Sequence, residues 1–581
     1  MGTISDKLMR IINTKEDIRQ ALISKGYDVP TSIPFKEYAK MILDLPCNAD
    51  SFPDIEGIVA RYSASGLTNE QMAANPVWAD KTGNGRDLQL KNFSWKRMSG
   101  VGGYVQDFND FRNNATVDKI RIDEQGSNSI KVTILTTGIG NAIYIPKNIY
   151  QFNKSYFIKI SSEGYDGGDM ALSFYAPSTS TATTVTVSLN PNGITEIPAI
   201  KEDDFLAVYI NVSGKVGSFT VEQLPLYPGA LVFDGVGNYG VCENFPILTK
   251  EKGYTVVVLR QWDQDFLNTT LTGGLLSTRN YSTGEGVAFE KIESSNKGYW
   301  NLGAGGFIDF AKSPFTWQTS KQYNNVGILK GDKNHGKPLC VGCGLSGGQQ
   351  CGRFAIWELV FLDHDATEEE LTKIKDYFVK TYPWLFPDQA WTTVGKTNED
   401  EDRATIANIT GNGNDLILSN FGFAEGSGYN EQGEYAGYLV TDGVDDKIVS
   451  SAFGMGKDFT IVGDWKLINT GKKDNAGIVK FDSIVIYNYN PILINIKNGR
   501  NNLIPDQNTV NAICSDGRIY SKDWKESIYN EETESTSKNL LTIGYSGNIY
   551  TKIAFKNLAI YPTVLSKEDC IKAYNYLQTL K

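Results

Sequence analysis

The sequence has little histidine and no long run of apolar residues, and both absences limit what the chain can do. Two histidines among 581 residues leave little material for catalysis or metal binding by imidazole. None of the apolar stretches is long enough to cross a bilayer as a helix. The formal charge of −11 argues against a nucleic-acid surface, which needs lysine and arginine to neutralise phosphates. We therefore expect neither membrane insertion nor a nucleic-acid partner.

Cysteine is also sparse, and its pattern does not indicate a secreted disulfide framework. The seven cysteines are scattered and odd in number, and the polar opening MGTISDK lacks the apolar core of a signal peptide. His335, Cys340, Cys343 and Cys351 have the ligand types of a zinc site. However, Cys340 and Cys343 lie three positions apart in a predicted strand and would face opposite sides of it. We therefore predict free thiols in a reducing cytoplasm and no metal site.

Glycine (57) and tyrosine (30) are abundant, a balance that favours strands and turns over helices. Residues 1–45 are a clearly helical opening, with Leu8, Ile11, Ile18 and Leu22 at heptad-like intervals. These apolar side chains are too few for a core of their own. We predict that the segment docks on a partner or on copies of itself through these four residues, with 46–54 as a linker. A helical cap on the next domain is the alternative.

Self-similarity far along the chain is the most informative feature of the sequence. The segment 82–93 (TGNGRDLQLKNF) recurs as 410–421 (TGNGNDLILSNF), and 230–239 (ALVFDGVGNY) recurs as 438–447 (YLVTDGVDDK). A third pair, 354–361 (FAIWELVF) and 554–561 (AFKNLAIY), precedes a short helix capped by Thr367 or Ser566. Three matches in the same order predict a duplicated domain.

The first copy carries a long extra segment, 104–228, that the second copy lacks. Its own alternating apolar stretches, such as 131–135 (KVTIL) and 205–210 (FLAVYI), predict strands separated by turns. Surface loops tolerate such insertions because the loop ends remain close together. We therefore predict a separate β-sandwich inserted into the first copy.

The order of these motifs resembles that of the concanavalin A-like lectin sandwiches, or laminin-G-like domains. Those domains have an early Gly-Asn turn, an Asp-Gly pair before a strand, and a final strand followed by an acidic-capped helix. The resemblance covers 55–103 with 229–388 and, in the second copy, 389–581. It implies a mainly β fold with two concanavalin-like jelly-roll sandwiches, one with an inserted β-sandwich (104–228), preceded by a short α-helical module.

The motifs that would indicate an enzyme have structural explanations. Residues 235–240 fit a dinucleotide-binding pattern but precede a strand, with no helix to hold a pyrophosphate. Residues 344–348 (GLSGG) fit a nucleophile elbow but lack its strand–turn–helix setting. No strand shows the alternating acids of the glycosidases built on concanavalin-like folds. We predict no enzyme and no cofactor, leaving a depolymerase activity and calcium binding open.

Glycan binding would need exposed aromatic faces beside asparagine or aspartate side chains, often at the edge of a sandwich. The sequence offers three aromatic stretches of this kind, although each is more often core or ordinary surface. Their candidate glycan-binding residues are Trp262, Asp263, Asp265, Trp300, Tyr487 and Tyr489.

The first 45 residues resemble a segment that opens structural and fibre proteins of tailed phages, with those of gut Bacteroidota and the crAss-like group as the nearest match. This resemblance implies a virion fibre or appendage protein, made in the host cytoplasm and anchored to other virion structural proteins by its N-terminal helices. By analogy with fibres we expect a trimer, with a dimer as the alternative. The sandwiches would face outward and bind host surface glycans. The competing hypotheses are a bacterial glycan-binding protein or polysaccharide depolymerase, and a spacer without a ligand.

Overall fold

The computed structural model describes most of the chain after residue 51. Its described residues are Lys15, Arg19, 52–113, 118–137, 141–163, 170–176, 184–202, 205–212, 215–248, 253–267, 269–278, 288–291, 297–300, 307–309, 338–345, 348–431, 435–468, 477–481, 484–487, 492–496, 500–504, 510–521, 524, 526–528, 539–546 and 549–580. The predicted assembly residues Leu8, Ile11, Ile18 and Leu22 lie outside them. No helix in these ranges has the length and apolarity needed to span a membrane.

The chain divides into two units, residues 1–56 with 369–377 and residues 57–368 with 378–581. In the smaller unit, the rings of Phe52 and Tyr377 meet edge to face at 4.9 Å. The larger unit contains all the sheets formed by the described residues.

The fold is mainly β, as predicted. In the first copy, one sheet joins strands from both sides of the extra segment: Gly100–Val101, Leu231–Asp234, Arg353–Leu362, Ile58–Ser63 and Thr255–Trp262. The other sheet contains Val77–Trp78, Leu88–Lys91, Tyr239–Cys242, Leu339–Val341, Gly273–Ser277, Ala288–Lys291, Lys297–Trp300, Phe307–Asp309, Cys343–Leu345 and Gln349–Cys351. Apolar side chains between the two sheets form a common core, so we call this body the first sandwich.

The extra segment forms two five-stranded antiparallel sheets with their own core, the inserted sandwich. Its outer sheet has the strand order Val185–Leu189, Met170–Tyr175, Ala207–Val212, Asn141–Pro146 and Arg112–Asn113. The second sheet has the order Ile194–Ile197, Tyr156–Glu163, Gly217–Gln223, Ser129–Ile134 and Ile120–Gln125.

The second copy forms the second sandwich, again with two sheets around one core. One sheet contains Gly428–Asn430, Tyr438–Val440, Ile553–Tyr561, Thr460–Leu467, Val510–Cys514, Arg518–Ser521, Glu526–Ile528 and Gln389–Thr392. The other contains Thr405–Ile406, Leu416–Ser419, Lys447–Phe453, Asn539–Ile543, Gly477–Phe481, Ile484–Tyr487, Ile492–Ile496 and Arg500–Ile504, and a hairpin of Tyr545–Ser546 and Ile549–Tyr550 lies apart.

Few helices accompany the described sheets. They are the α-helices Asn69–Ala74, Gln264–Leu267, Glu368–Thr381 and Lys567–Gln578, and the 3-10 turns Phe108–Asp110 and Pro383–Leu385. The helix Lys567–Gln578, here called the closing helix, begins at Ser566, whose hydroxyl accepts a hydrogen bond from the Asp569 amide.

The closing helix packs against all three sandwiches. The ring of Tyr574 meets Phe157 of the inserted sandwich and Trp524 of the second sandwich, each at 5.5 Å, and the ring of Tyr576 meets Trp357 of the first sandwich at 6.0 Å. These rings belong to one apolar cluster that also contains residues from both repeated sandwiches. One shared core therefore fixes the closing helix where the three bodies meet.

The repeated sequence motifs hold backbone in place. In the first copy, Asn69 Nδ2 donates to the Val101 carbonyl at 3.2 Å and its Oδ1 accepts from the Val101 amide at 2.7 Å. Asn398 makes the same pair of bonds to Tyr429, at 2.9 and 2.8 Å. The sequence Thr-Asn-Glu occurs at 68–70 and again at 397–399, and these shared bonds give that repetition a structural cause.

The strand registers correct one of the sequence matches. Leu231 and Leu439 occupy equivalent places in 230–239 and 438–447, and they pair with Ile356 and Phe555. Ile356 therefore corresponds to Phe555, so the match of 354–361 to 554–561 is one residue out. Glu358 corresponds to Asn557, because Ser63 and Thr392 pair with them. The domain boundaries predicted from the sequence remain a prediction.

Candidate glycan-binding surface

Trp262 cannot be part of an exposed glycan face. The strand Thr255–Trp262 runs three residues beyond the apolar stretch 254–259 visible in the sequence, and it carries Trp262 into the core, where it is 2% exposed. Its ring contacts Phe354 at 5.1 Å and stacks on Phe266 at 6.0 Å. The prediction for this residue is wrong because the tryptophan belongs to the strand and not to a loop.

Of the other candidates, the two aspartates bond to residues of the protein itself, and the three aromatic side chains lie outside the described residues. Asp263 Oδ1 accepts from the Phe266 amide at 2.9 Å and pairs with Arg353 at 3.4 Å, and Asp265 pairs with Lys154 of the inserted sandwich. Trp300 and Tyr487 lie on strands, but their side chains are outside the described part, as is the whole of Tyr489. A glycan role for these residues stays a prediction.

The structure brings together a row of side chains across the outer sheet of the inserted sandwich. Cross-strand pairing aligns Thr186 with Ser173, Ser173 with Tyr209, Tyr209 with Tyr144, and Tyr144 with Arg112. This row crosses all five strands, and four interstrand steps of about 4.8 Å make it about 19 Å long. We call it the tyrosine row.

The tyrosines of the row point away from the core. Their neighbours along the strands, Ile143, Ile145, Val208 and Ile210, all lie in the core cluster of the inserted sandwich. Because successive strand side chains point to opposite faces, Tyr144 and Tyr209 stand on the outer face of the sheet. Their ring centroids are 5.6 Å apart.

A third tyrosine and several polar groups extend this aromatic surface. The ring of Tyr175, 47% exposed, lies 6.5 Å from that of Tyr209. On the other side, Asn211 Nδ2 donates to Ser173 Oγ at 2.6 Å, and Ser173 Oγ lies 3.3 Å from Thr186 Oγ1. Asn211 Oδ1 is buried without a hydrogen-bond partner among the described residues. Aromatic faces thus adjoin hydroxyl and amide groups, an arrangement suited to the apolar faces and hydroxyls of sugars.

An open groove of about 1010 Å³ is lined by residues of both the inserted sandwich and the closing helix. Lys159, Ser161, Asn192 and Glu222 line it from the inserted sandwich, and Lys567 and Glu568 from the helix. Its lining contains both positive and negative side chains, and Trp524, the one aromatic side chain among the described residues that line it, is 3% exposed. The groove therefore lacks the open aromatic platform that distinguishes the tyrosine row.

Three aspartates in the Asp-Gly turn of the second sandwich could hold a cation. Asp442, Asp445 and Asp446 each place a carboxylate oxygen within 4.8 Å of the others, and carboxylate oxygens are ligands for calcium. Asp446 Oδ2 also accepts from the Asp442 amide at 2.7 Å, and burial raises the pKa of Asp446 to about 6. In the first sandwich the corresponding residues are Asp234, Gly237 and Asn238, so this carboxylate set is specific to the second copy.

The prediction of free thiols is wrong for two cysteines. Cys343 and Cys351 face each other on the antiparallel strands Cys343–Leu345 and Gln349–Cys351, and they form a disulfide. Their sulfurs are therefore not available to a zinc ion, and His335 lies outside the described residues. Gly342, with φ of +103°, separates Cys343 from the strand of Cys340. Cys242, Cys340, Cys514 and Cys570 are not in disulfides.

No protein-family model matches the chain, and no curated protein sequence matches it. Three solved structures illustrate what the chain is similar to. They are the binding domain of Paraclostridial Mosquitocidal Protein 1 (14% identity, TM-score 0.21, 31% of this chain and 50% of that one), the botulinum neurotoxin serotype D binding domain (10%, 0.23, 57% and 87%), and Trypanosoma rangeli sialidase in complex with sialic acid (9%, 0.24, 80% and 85%).

The chain thus spans half the length of the mosquitocidal binding domain. Identities this low concern the fold alone, and TM-scores near 0.2 carry no functional argument. The sheets themselves define the class: this is a mainly β protein built from packed sandwiches.

Proposed function

We propose that this chain is a structural appendage protein of a tailed phage and that the tyrosine row binds glycans of the host surface. The observation that carries the binding proposal is the outward-facing aromatic row, half-buried at Tyr144 and Tyr209, with its hydroxyl and amide neighbours on the inserted sandwich. The phage assignment is supported by the resemblance of residues 1–45 to the opening segment of phage fibre proteins.

In this proposal the protein is made in the host cytoplasm and becomes part of the virion. Residues 1–45 join it to other virion structural proteins and to itself, as a trimer by analogy with fibres or as a dimer. The chain binds its glycan without cleaving it and requires no cofactor. Calcium could bind at Asp442, Asp445 and Asp446, so the binding experiment should vary the calcium concentration.

The shape of the row favours an extended glycan with a negative charge. A row of about 19 Å exceeds what a single sugar would cover. Arg112, which is exposed, ends the row beside Tyr144 and could pair with a sugar carboxylate through its planar guanidinium group. We therefore expect acidic polysaccharides to bind more tightly than neutral ones.

The test is a screen of the full chain against host capsular polysaccharide and a broad glycan array, with calcium and with a chelator. For any glycan that binds, the double variant Tyr144→Ala/Tyr209→Ala should lower affinity about tenfold or more, because two stacking faces are lost. Arg112→Gln should weaken binding of carboxylated glycans and leave that of neutral ones unchanged.

The matched control is Tyr545→Ala/Tyr550→Ala, which removes a stacked tyrosine pair (5.9 Å) on the second sandwich. This control should bind as the unaltered chain does. Equal losses in both double variants, or none in the first, would contradict the assignment of the row. Shortening of the polysaccharide during incubation would instead favour the depolymerase alternative, and silence from a folded chain would favour a spacer.

A further inference from the structure

The outer sheet of the inserted sandwich presents two further rows of side chains on its outer face, one on each side of the tyrosine row. On one side, the strand registers pair Tyr175 with Ala207 and Ala207 with Pro146. Each of these three residues lies two positions along its strand from a member of the tyrosine row, so all three stand on the same face as that row. We call them the apolar row.

The row on the other side is more polar. Here Ser188 pairs with Ala171, and Ala171 pairs with Asn211. These residues also lie two positions along their strands from members of the tyrosine row. Ser188 is exposed, and the Asn211 amide donates to Ser173 Oγ at 2.6 Å. We call this set the polar row.

The apolar row has surface that is open to solvent. Tyr175 is 47% exposed, Pro146 is half-buried, and Ala207, which is 4% exposed, lies between them. Leu206 lies beside Tyr175, because its amide donates to the Tyr175 carbonyl at 2.8 Å, and it is 58% exposed. A ligand that covers this apolar surface gains free energy by removing it from water.

The two rows give a bound sugar different surroundings on its two edges. Residues two positions apart along a strand are about 7 Å apart, so the apolar and polar rows lie about 14 Å from each other, with Tyr144 and Tyr209 between them. A sugar that packs on these tyrosines has the apolar row along one edge. A hydroxyl on that edge would lose water without gaining a hydrogen-bond partner, whereas a methyl group would gain from burial.

We propose that the tyrosine row selects glycans whose sugars carry a methyl-bearing substituent, an acetyl group or the methyl of a 6-deoxy sugar, and that this methyl packs on the apolar row. The inference rests on the proposed function and names the class of sugar that the surface binds. Hydroxyls on the opposite edge of the sugar meet the polar row. Tyr175, Ala207 and Pro146 are thus specificity-determining residues, whereas Arg112, at the end of the tyrosine row, selects for charge.

The experiment measures the affinity of the full chain for matched glycans that differ in one substituent. Three pairs cover the sources of the methyl group: fucose and galactose oligosaccharides, N-acetylglucosamine and glucose oligosaccharides, and O-acetylated alginate before and after mild alkali. We expect tighter binding of the methyl-bearing member, by about fourfold for each methyl that reaches the apolar row. The pair with the largest ratio of affinities identifies the substituent.

A variant and its matched control locate the preference on the surface. Tyr175→Gln replaces an exposed apolar ring with a polar side chain, so it should lower the ratio of affinities by about half or more, whatever its effect on overall affinity. Ser188→Ala, at an exposed position of the polar row, should leave the ratio unchanged. A ratio that falls equally in both variants, or that is unchanged in Tyr175→Gln, would overturn the role of the apolar row.

The outcomes also separate this inference from the proposed function. Equal affinities within every pair that binds, or binding confined to glycans without methyl groups, would overturn the preference for methyl groups and leave glycan binding by the tyrosine row in place. Binding of no glycan at all by the folded chain would overturn the proposed function and this inference together.

Discussion

At one buried position the two repeated sandwiches carry different polar side chains, charged in the first and neutral in the second. In the first, Glu358 pairs with Arg61 at 3.2 Å and accepts from the Tyr382 hydroxyl at 2.9 Å. In the second, the corresponding residues are Asn557 and Ala390, and Asn557 donates to the Leu577 carbonyl at 3.3 Å. The same strand pairing surrounds both. An ion pair is therefore one solution for this site and not a requirement of the fold.

A second site also differs between the two sandwiches. It is the hairpin that follows a glycine with positive φ. Gly342 precedes Cys343, which is bonded to Cys351 in the first sandwich, whereas Gly544 precedes Tyr545, which stacks on Tyr550 in the second. By contrast, Asn69 and Asn398 make identical backbone bonds in both copies. The comparison shows that the side chains that hydrogen-bond to backbone are the same in both copies, whereas the side chains that link neighbouring strands differ.

The largest expected effect comes from breaking the buried ion pair. Arg61→Ala removes the cation beside the fully buried Glu358 carboxylate, and we expect a loss of about 3–5 kcal/mol in the free energy of unfolding. Adding Glu358→Asn, which reproduces the second sandwich, should recover most of this loss. Chemical denaturation measures both variants.

The control for this prediction is an exposed pair. Arg121→Ala removes the ion pair to Asp123, in which the arginine side chain is 59% exposed, and should cost less than about 1 kcal/mol. The cost of Arg61→Ala should also shrink as the pH falls, because protonation removes the unpaired charge. If Arg61→Ala/Glu358→Asn were as unstable as Arg61→Ala alone, the first sandwich would not accept the side chains that the second has at this site.

The disulfide gives the next effect. Cys343→Ser/Cys351→Ser should destabilise the first sandwich by about 2–3 kcal/mol, since the cross-link closes a short loop of the unfolded chain. Tyr545→Ala/Tyr550→Ala, at the corresponding place, should cost about 1 kcal/mol. Thermal unfolding with and without reductant compares them. Reductant should lower the midpoint of the unaltered chain, and an unchanged midpoint would argue against a stabilising disulfide.

The two asparagine anchors should respond alike. Asn69→Ala and Asn398→Ala each remove two hydrogen bonds to backbone, so we expect about 2 kcal/mol of destabilisation in each case. Denaturation of the full chain, monitored by hydrogen exchange in the strands of each sandwich, measures the two costs separately. Costs that differ widely between the copies would contradict the view that these bonds are a shared anchor.

The smallest effect concerns pH. Burial raises the pKa of Asp446 to about 6, above its usual 3.8, so the folded chain binds a proton that the unfolded chain has lost. Stability should therefore fall as the pH rises from about 4 to about 6. Asp446→Asn, the residue found at Asn238 in the first sandwich, should flatten this slope. Midpoints measured in a chelator at both ends of the range test it, and an unchanged slope would exclude Asp446 as its source.

The sequence was enough to predict the mainly β fold and the duplication, because the repeated turns and strands have local causes. Gly235 and Gly443, for example, have φ near +75° in equivalent Asp-Gly turns. The tyrosine row could not be predicted in this way, since Tyr144, Tyr175 and Tyr209 lie on separate strands whose register is set only by folding. A signal was present in the Ile-Tyr-Ile and Val-Tyr-Ile stretches, where a tyrosine alternates with core residues.

The errors have equally specific causes. Trp262 is predicted on an exposed aromatic face because the apolar stretch ends before Arg260, whereas strand pairing continues to Trp262. Cys343 and Cys351 were expected as free thiols because only the hairpin places them opposite one another.

The most direct test of the central claim is hydroxyl-radical footprinting of the full chain with and without a bound glycan, read by mass spectrometry. The account predicts that glycan protects Tyr144, Tyr175 and Tyr209 from oxidation and leaves Tyr545 and Tyr550 as reactive as before. Protection confined to the first or the second sandwich, with the tyrosine row unchanged, would contradict it.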